Sequence, residues 1–267
     1  MKAQLSGISE TALITLAAHA RDFEREDSVL KDDISADIAR QLGLDCEAYV
    51  PSVTSYFGVV ARASMFEDYV RAFAAHHANP LVISIGSGLD SLFNRVDDGR
   101  MRWVNLDLPE VIEQRKRFYP AHERVRDVAR SLLDPAWPDD IDWEGYDVAI
   151  IAEGVLMFFS PDEVAKFVRI AAEGIDAFDL AIDMISPKLV GQEGHHGAVK
   201  RTSAGFRWGS SDGSDVVDMC PALQRLDCVN YTKRFCDILP MPHRLASPFY
   251  RLALPPVNNR MGIYRKS

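Results

Sequence analysis

Two patterns of apolar residues divide the chain, and the change falls near residue 79. Before that point apolar residues recur every three or four positions, which predicts amphipathic helices over 9–25, 32–41 and 57–75. Beyond it, short apolar runs alternate with helical stretches, a pattern typical of buried strands connected by helices. No repeat or low-complexity linker interrupts the chain. We therefore predict a single domain, with residues 1–78 as a helical extension packed on a core formed by 79–267.

Five apolar runs in the second part have the length and composition of buried strands. They cover residues 81–85, 102–108, 124–129, 146–152 and 178–185. The helix between the last two has a complete start signal: Ser160 as N-cap, Pro161 in the first turn and Glu163 closing a capping box. Two further strands, 250–254 and 261–265, are predicted to form an antiparallel pair at the sheet edge. These elements predict an α/β, Rossmann-like fold with a mostly parallel seven-stranded sheet.

Composition narrows the class of protein. The 267 residues include 30 basic and 39 acidic side chains, a net charge of −9, which argues against broad electrostatic binding of nucleic acid or anionic lipid. No run reaches the roughly 18 apolar residues of a membrane helix. The apolar stretch 11–20 is followed directly by the charged segment 21–27 rather than by a cleavage site. We expect a soluble cytoplasmic protein.

The cysteines predict neither a disulfide scaffold nor a metal site. Four cysteines in a chain of this length are few, and Cys220, Cys228 and Cys236 recur every eight residues. Zinc sites use closer pairs of ligands. We expect buried or half-buried thiols and no bound metal.

Candidate chemistry lies at the strand ends, because ligands of such sheets bind beyond the carboxyl ends of the strands. Gly86, Ser87 and Gly88 follow the first strand, although glycines are common at any sharp turn. Asp90 makes the motif more informative. A carboxylate here repels a pyrophosphate but not a sulfonium, which favours S-adenosylmethionine over NAD.

Asp107 ends the second strand, 21 residues after Gly86. A carboxylate at this position accepts hydrogen bonds from both hydroxyls of an adenosine ribose. The alternative role is a helix N-cap before Pro109. NAD enzymes place an acid similarly, so Asp107 predicts nucleoside binding without selecting the cofactor.

Three segments of the chain resemble the leucine carboxyl methyltransferase family. They are residues 85–91 (IGSGLDS), 105–112 (NLDLPEVI) and 152–159 (AEGVLMFF). The stretches 10–12, 31–36 and 206–209 are more similar to its bacterial branch, which includes polyketide O-methyltransferases of the tetracenomycin type. The resemblance implies a class I methyltransferase fold, S-adenosylmethionine as the methyl donor, and an oxygen, often of a carboxylate, as the acceptor.

The resemblance also implies which residues bind the cofactor. They are Arg62, Gly86, Ser87, Gly88, Asp107, Leu108, Ser131, Leu132, Glu153 and Gly154. The glycine-rich turn lies beneath the methionine part, and Asp107 binds the ribose. Arg62 matches an arginine that holds the cofactor carboxylate, a task suited to a bidentate guanidinium. Glu153 is placed at the cofactor ammonium.

Two positions depart from the family pattern. Ser131 falls at the adenine edge, where many relatives carry an acid. Relatives commonly read GLDTR after the first strand, whereas this chain has Leu92 in place of the arginine. We expect Arg95, one helical turn further on, to substitute for it, and otherwise a looser loop with weaker affinity for the cofactor.

The segment 186–218 is rich in glycine, serine and histidine and is expected to cover the methyl acceptor. His195 and His196 are the candidates for a catalytic base and lie near the basic residues Lys200, Arg201 and Arg207. Such a cluster in an acidic protein suits an anionic acceptor. The alternative is an exposed loop with ordinary polar side chains.

Three hypotheses follow for the function. The leading one is an S-adenosylmethionine-dependent O-methyltransferase that acts on a small anionic or aromatic molecule, such as a polyketide or a related natural product. The second is a protein carboxyl methyltransferase, and the third is a binder of the cofactor without catalysis. An NAD-linked oxidoreductase is disfavoured by Asp90.

Overall fold

The structure is a computed structural model that describes residues 11–191, 205–255 and 259–267. Its described part contains one sheet of seven strands. They are β1 (Pro80–Ile85), β2 (Arg102–Asp107), β3 (Val125–Ala129), β4 (Asp147–Ala152), β5 (Phe178–Met184), β6 (Gln224–Asn230) and β7 (Arg260–Lys266). The spatial order is β3-β2-β1-β4-β5-β7-β6. The first five strands are parallel, and β7 pairs antiparallel with both β5 and β6. The predicted fold class is therefore confirmed.

Ten α-helices lie in the described residues. They are α1 (Ala12–Phe23), α2 (Asp33–Leu42), α3 (Cys46–Tyr49), α4 (Val53–His76), α5 (Leu92–Val96), α6 (Pro109–Arg115), α7 (Pro161–Gly174), α8 (Ser214–Met219), α9 (Thr232–Ile238) and α10 (Ser247–Ala253). The capping box of α7 is present as predicted, with Ser160 and Glu163 bonded reciprocally to each other's backbone amides. Helix α2 has Asp32 as its N-cap, whose carboxylate accepts a hydrogen bond from the Ser35 amide, and Gly43 in the left-handed conformation as its C-cap.

The predicted strand over 250–254 is wrong, because these residues belong to α10 and to the turn that follows it. Pro248 lies in the first turn of that helix, where proline is well tolerated. Tyr250 and Leu254, one helical turn apart, pack against the apolar cluster formed by α1, α4 and α9. These residues form a helix because one helical face packs on that cluster, and the short apolar run alone does not reveal this packing.

The partner of β7 at the sheet edge is β6, which the apolar pattern did not predict. Most side chains of β6 are exposed, because an edge strand needs no continuous apolar run. The antiparallel pair was therefore expected correctly, but its first strand lies at 224–230 rather than at 250–254.

Two apolar layers cover the faces of the sheet. Alternate residues of β1 point to opposite faces, as in any strand: Ile83 joins the layer beneath α7 and α8, whereas Val82 joins the layer beneath α4. Helix α1 packs beside the carboxyl end of β1, where Leu13 and Leu16 share a cluster with Leu89. The N-terminal helices therefore lie next to the strand ends that carry the candidate site.

No described helix is both long and apolar enough to cross a membrane. All four cysteines lie in the described residues as free thiols. Cys220 and Cys236 are buried, whereas Cys46 and Cys228 are partly buried. The expectation of buried or half-buried thiols is confirmed.

Candidate cofactor and active site

A cavity of about 210 Å³ lies at the carboxyl ends of β1, β2 and β4. The start of α1 contributes Thr11, Ala12 and Thr15 to its wall, and the apolar side chains of Val155 and Phe159 close another side. All the predicted cofactor-binding residues except Arg62 line this cavity. They are Gly86, Ser87, Gly88, Asp107, Leu108, Ser131, Leu132, Glu153 and Gly154. Sequence motifs from three strand ends therefore meet in one place.

The glycine-rich turn follows β1 with two left-handed residues. Gly86 has φ +61° and Gly88 has φ +53°, a region that other residues rarely adopt. A Cβ at Gly86 would lie 2.5 Å from Cγ2 of Val155, and one at Gly88 would lie 3.1 Å from Cβ of Ala12. Both glycines therefore allow neighbouring segments to approach the floor of the cavity closely.

Asp107 holds the turn from the adjacent strand. Its Oδ2 accepts a hydrogen bond from the Gly88 amide at 2.7 Å, and its Oδ1 accepts one from the Leu108 amide at 2.7 Å. The N-cap position of α6 is Leu108, and no side chain caps that helix. Burial raises the pKa of Asp107 to about 6, although the two amides oppose the shift. Each oxygen keeps a second acceptor site for a ribose hydroxyl.

Arg62 approaches the cavity from α4, behind Glu153. Its Nε donates a hydrogen bond to Oε1 of Glu153 at 3.0 Å, and its Nη2 donates one to Oγ1 of Thr15 at 3.2 Å. Gly154 leaves room for this guanidinium, since a Cβ there would lie 2.9 Å from Nη2. The structure therefore places the Arg62 guanidinium beside the Glu153 carboxylate.

Two residues that sequence reasoning missed complete this group. Asp183, fully buried near the end of β5, accepts a hydrogen bond from the Gly154 amide at 2.8 Å and lies 3.7 Å from Nη1 of Arg62. Tyr231 is also buried, and the pKa of its hydroxyl is raised by burial and by the nearby Asp183 carboxylate. The available signal for Asp183 was an aspartate near the carboxyl end of a largely apolar strand, which also carries Asp179 near its start. We call Arg62, Glu153, Asp183 and Tyr231 the strand-end cluster.

The cavity meets two requirements of a polar ligand. Ser87 Oγ and Glu153 Oε2 are both buried and have no hydrogen-bond partner among the described residues, although buried polar atoms are normally satisfied. Burial raises the pKa of Glu153, because the Arg62 charge offsets that effect only in part. A ligand with an ammonium group would satisfy the carboxylate and stabilise its charge. S-adenosylmethionine carries such a group, so these residues fit it.

Asp90 is braced by Arg95, as expected from the substitution at Leu92. Nη1 of Arg95 donates hydrogen bonds to Oδ1 of Asp90 at 2.9 Å and to Oδ2 of Asp32 at 2.8 Å. His19 lies beside the same two carboxylates, a grouping that would suit a metal ion. The Arg95 guanidinium already supplies the positive charge there, which argues against a metal. The loop is braced rather than loose.

A second buried arginine, Arg115 of α6, holds the backbone of the same loop. Its Nη1 donates hydrogen bonds to the carbonyls of Gly88 at 3.0 Å and Asp90 at 2.8 Å. The guanidinium stacks on Tyr119, 4.4 Å from the ring centroid, and the Tyr119 hydroxyl donates to the Leu89 carbonyl. Sequence reasoning missed Arg115, which reads as an ordinary charge on a helix.

The remaining predictions concern the adenine edge and the acceptor side. Ser131 lines the cavity, and its Oγ accepts a hydrogen bond from the Leu133 amide at 3.2 Å. His195, His196, Lys200 and Arg201 lie outside the described residues. Arg207 is described and donates a hydrogen bond to Glu163 at 3.0 Å.

Comparisons with known proteins identify the family of the chain. The model of the leucine carboxyl methyltransferase family matches residues 12–172. The tetracenomycin polyketide synthesis O-methyltransferase of Streptomyces glaucescens is 25% identical over 222 residues, 83% of this chain and 82% of that protein. An S-adenosyl-L-methionine-dependent methyltransferase of Gibberella zeae is 29% identical over 187 residues, 63% of this chain and 61% of that protein.

Solved structures share the fold. A DUF574 family protein of Streptomyces avermitilis has a TM-score of 0.58 at 14% identity and covers 94% of this chain and 97% of its own. Magnesium protoporphyrin IX methyltransferase of Synechocystis, with bound S-adenosylmethionine, has a TM-score of 0.52 at 12% identity, over 90% and 98% of the two chains. The chain therefore belongs to the leucine carboxyl methyltransferase family and is an S-adenosylmethionine-dependent methyltransferase.

Proposed function

We propose that the enzyme methylates a carboxylate or hydroxyl oxygen of a small molecule, a polyketide or a related natural product that is anionic or aromatic. The observation that carries the proposal is the apolar and aromatic wall next to Glu153. Phe159 lines the cavity there, and behind it Phe158 stacks on Phe206 with ring centroids 5.7 Å apart. A flat aromatic acceptor suits such a wall. The similarity to the O-methyltransferase of Streptomyces glaucescens supports the same acceptor class.

The cofactor is held, in this proposal, along the strand ends. Asp107 accepts from the ribose hydroxyls, Ser131 and Leu132 border the adenine, and the turn at Gly86–Gly88 carries the methionine part. Arg62 binds the cofactor carboxylate, and Glu153 binds the ammonium. S-adenosylmethionine supplies a methyl group already activated by its sulfonium. The task of the protein is therefore to align the acceptor oxygen and to exclude water.

The polar lining of the cavity favours an acceptor that arrives ionised. Among the described residues that line it there is no histidine, lysine or cysteine. A carboxylate acceptor needs no base, whereas a phenol or an alcohol does. We keep His195 and His196 as the candidates for that base, and a carboxylate as the first acceptor to test.

Two covers are proposed for the site. Residues 1–78 act as a helical extension on the core formed by 79–267, since α1 and its N-cap residue Thr11 together contribute three residues to the cavity wall. Segment 186–218 covers the acceptor, because Phe206 packs on Phe158 beside the cavity.

The four free thiols suit a reducing compartment, which supports a cytoplasmic location.

The acceptor oxygen can be identified by methyl transfer from radiolabelled S-adenosylmethionine. The substrates are a polycyclic aromatic acid, the phenol with the same rings, and a peptide with a free carboxyl terminus. Mild alkali releases methanol from a methyl ester but leaves an aryl ether intact. We expect alkali-labile label on the acid and less, alkali-stable label on the phenol.

The control is Asp142→Asn, which neutralises a fully exposed carboxylate outside the cavity lining. Its activity should equal that of the wild type. Label on the peptide alone would contradict a small-molecule acceptor and favour protein carboxyl methylation. Alkali-stable label on the acid, which carries no hydroxyl group, would contradict transfer to its carboxylate oxygen.

A further inference from the structure

The Arg95 side chain connects segments that are distant in the sequence. Besides Asp32 and Asp90, it donates hydrogen bonds to Oγ of Ser91 at 2.6 Å and to Oε1 of Glu67 at 2.6 Å. These partners belong to the start of α2, to α4 and to the loop that follows the glycine turn. We call Arg95, Asp32, Asp90, Ser91 and Glu67, with His19, the loop network.

The loop network is buried except where it meets the cavity. The side chains of Arg95, Asp32 and Glu67 are exposed by 6% or less, whereas that of Asp90 is 20% exposed and lines the cavity. Charges that are desolvated and paired are held in one geometry, because a broken pair leaves a buried charge uncompensated. Asp90 is therefore the point at which a rigid interior network reaches the ligand.

The N-terminal helices join the network on its other side. His19 of α1 lies 3.0 Å from Oδ2 of Asp32, and Asp32 also begins α2. The first turn of α1 faces the cavity through Ala12 and Thr15. Helix α1, which borders the cavity, and α2, which packs on α1, are thus fastened to the loop that lines the cavity.

We propose that Arg95 is a positioning residue for cofactor binding, which ties the cover formed by α1 and α2 to the loop 86–91. A ligand between the cover and the loop contacts both. If the ligand orders the loop, and the loop is tied to the cover, thermodynamic linkage requires that ligand binding also stabilises the cover. In the same way, a more stable cover must favour ligand binding. Arg95 transmits this effect because its guanidinium donates hydrogen bonds to both Asp32 and Asp90.

The test compares Arg95→Met with Arg71→Met. Arg71 also donates a hydrogen bond to Glu67 but is 48% exposed and is not paired with Asp32 or Asp90. We measure S-adenosylhomocysteine affinity by calorimetry and amide hydrogen exchange with and without this ligand. In the wild type and in Arg71→Met, the ligand should slow exchange in 86–91 and in 24–36.

In Arg95→Met we expect affinity to fall about tenfold, within the usual range of coupling between sites. Ligand protection of 24–36 should be lost, while the amides of β1 and β4 exchange as in the wild type. Arg95→Lys retains one charge–charge contact and should recover part of the affinity. Unchanged affinity in Arg95→Met, or faster exchange throughout the sheet in step with the lost affinity, would overturn the proposal.

Ser91→Ala provides a second variant if Arg95→Met does not fold. The Ser91 hydroxyl accepts from Arg95 and donates to Oδ1 of Asp32 at 2.6 Å, and its loss removes no charge. The expected result is an affinity about threefold lower with reduced protection of 24–36. Full affinity together with full protection of 24–36 would refute the role of the network.

Discussion

Two buried arginines in this enzyme have similar partners and different tasks. Arg95 in the loop network and Arg62 in the strand-end cluster each face at least two buried carboxylates. In the loop network both oxygens of Asp32 accept hydrogen bonds. In the strand-end cluster, Glu153 Oε2 and Asp183 Oδ2 have no hydrogen-bond partner among the described residues.

The difference supports the proposal that the loop network is a brace and the strand-end cluster a binding site. Burial alone would raise the pKa of Asp32, but the His19 hydrogen bond and the Arg95 charge outweigh it and hold that pKa well below its usual range. Burial dominates at Glu153 and raises its pKa despite Arg62. A carboxylate left short of positive charge is prepared to contact a cationic ligand, whereas a saturated one can act on a ligand only through the geometry that it holds.

The largest effect on stability should come from neutralising Asp32, the carboxylate whose two oxygens both accept hydrogen bonds. Both oxygens of Asp32 face only donors: His19, Arg95, the Ser91 hydroxyl, and the amide and hydroxyl of Ser35. Asp32→Asn replaces one of the two carboxylate oxygens with an amide nitrogen. That nitrogen is itself a donor, so it faces other donors and has no acceptor. We expect it to lower the free energy of unfolding by about 3 kcal/mol in chemical denaturation.

Glu153→Gln is the matched control in the other cluster. Its new amide nitrogen can take the place of Oε2, which has no partner, while the remaining oxygen still accepts from Arg62. The free energy of unfolding should fall less than in Asp32→Asn, because Asp183 still lies 3.7 Å from Arg62 and burial already disfavours the charge on Glu153. Equal losses of unfolding free energy in Asp32→Asn and Glu153→Gln would contradict the distinction between a brace and a binding site.

Arg62→Met should mainly affect binding. The guanidinium is proposed to hold the cofactor carboxylate, and a charged hydrogen-bonded pair contributes about 1.5–3 kcal/mol. S-adenosylhomocysteine affinity should therefore fall roughly 100-fold in calorimetry. Adenosine, which lacks the amino-acid part, serves as the control ligand and should keep its affinity within about threefold of the wild type. A loss of the same size for adenosine would contradict the assigned role.

The pH dependence of binding tests Asp107. With a pKa of about 6, this carboxyl is protonated in the free protein at lower pH, whereas ribose hydroxyls donate to its ionised form. S-adenosylhomocysteine affinity should therefore be constant above pH 7 and fall about tenfold per pH unit well below 6.

The same shift has the opposite sign for folding. Because the folded pKa lies above the unfolded value of about 3.9, the free energy of unfolding loses this contribution as pH rises from about 4 to above 6. Asp107→Asn should bind weakly at every pH and lack this decrease. An affinity in the wild type that is independent of pH between 5 and 8 would contradict ribose binding by Asp107.

The sequence predicted those strands and helices whose residues carry a clear local pattern, such as an apolar run or a capping box. The central strands are apolar runs because both of their faces are buried, and α7 begins with a complete capping box. The edge strand β6 has exposed polar residues and gives no such signal. Helix α10 was misread because a run of five residues does not distinguish strand from helix without its packing partners.

The residues of the candidate site also separate into those that the sequence predicted and those that it did not. Gly86, Gly88 and Asp107 were predicted because each follows or ends an apolar run, which marks the carboxyl end of a strand in the sequence itself. Asp183 and Arg115 were not, since each acts through contacts with segments 25 or more residues away in sequence. Predicting them requires the order of the strands, which sets the neighbours of each strand end.

The smallest effect is expected at Ser131, which lies in neither arginine cluster. Its Oγ accepts a hydrogen bond from the Leu133 amide, so the hydroxyl serves the turn as well as the cavity wall. Ser131→Ala should weaken S-adenosylhomocysteine binding only about twofold, the loss of one neutral hydrogen bond. Ser131→Asp should keep the contact with Leu133 and offer a second oxygen to the adenine amino group, and calorimetry should show an affinity about threefold higher. A tenfold loss in Ser131→Ala would instead mean that an uncharged side chain matters to binding as much as the charged clusters do.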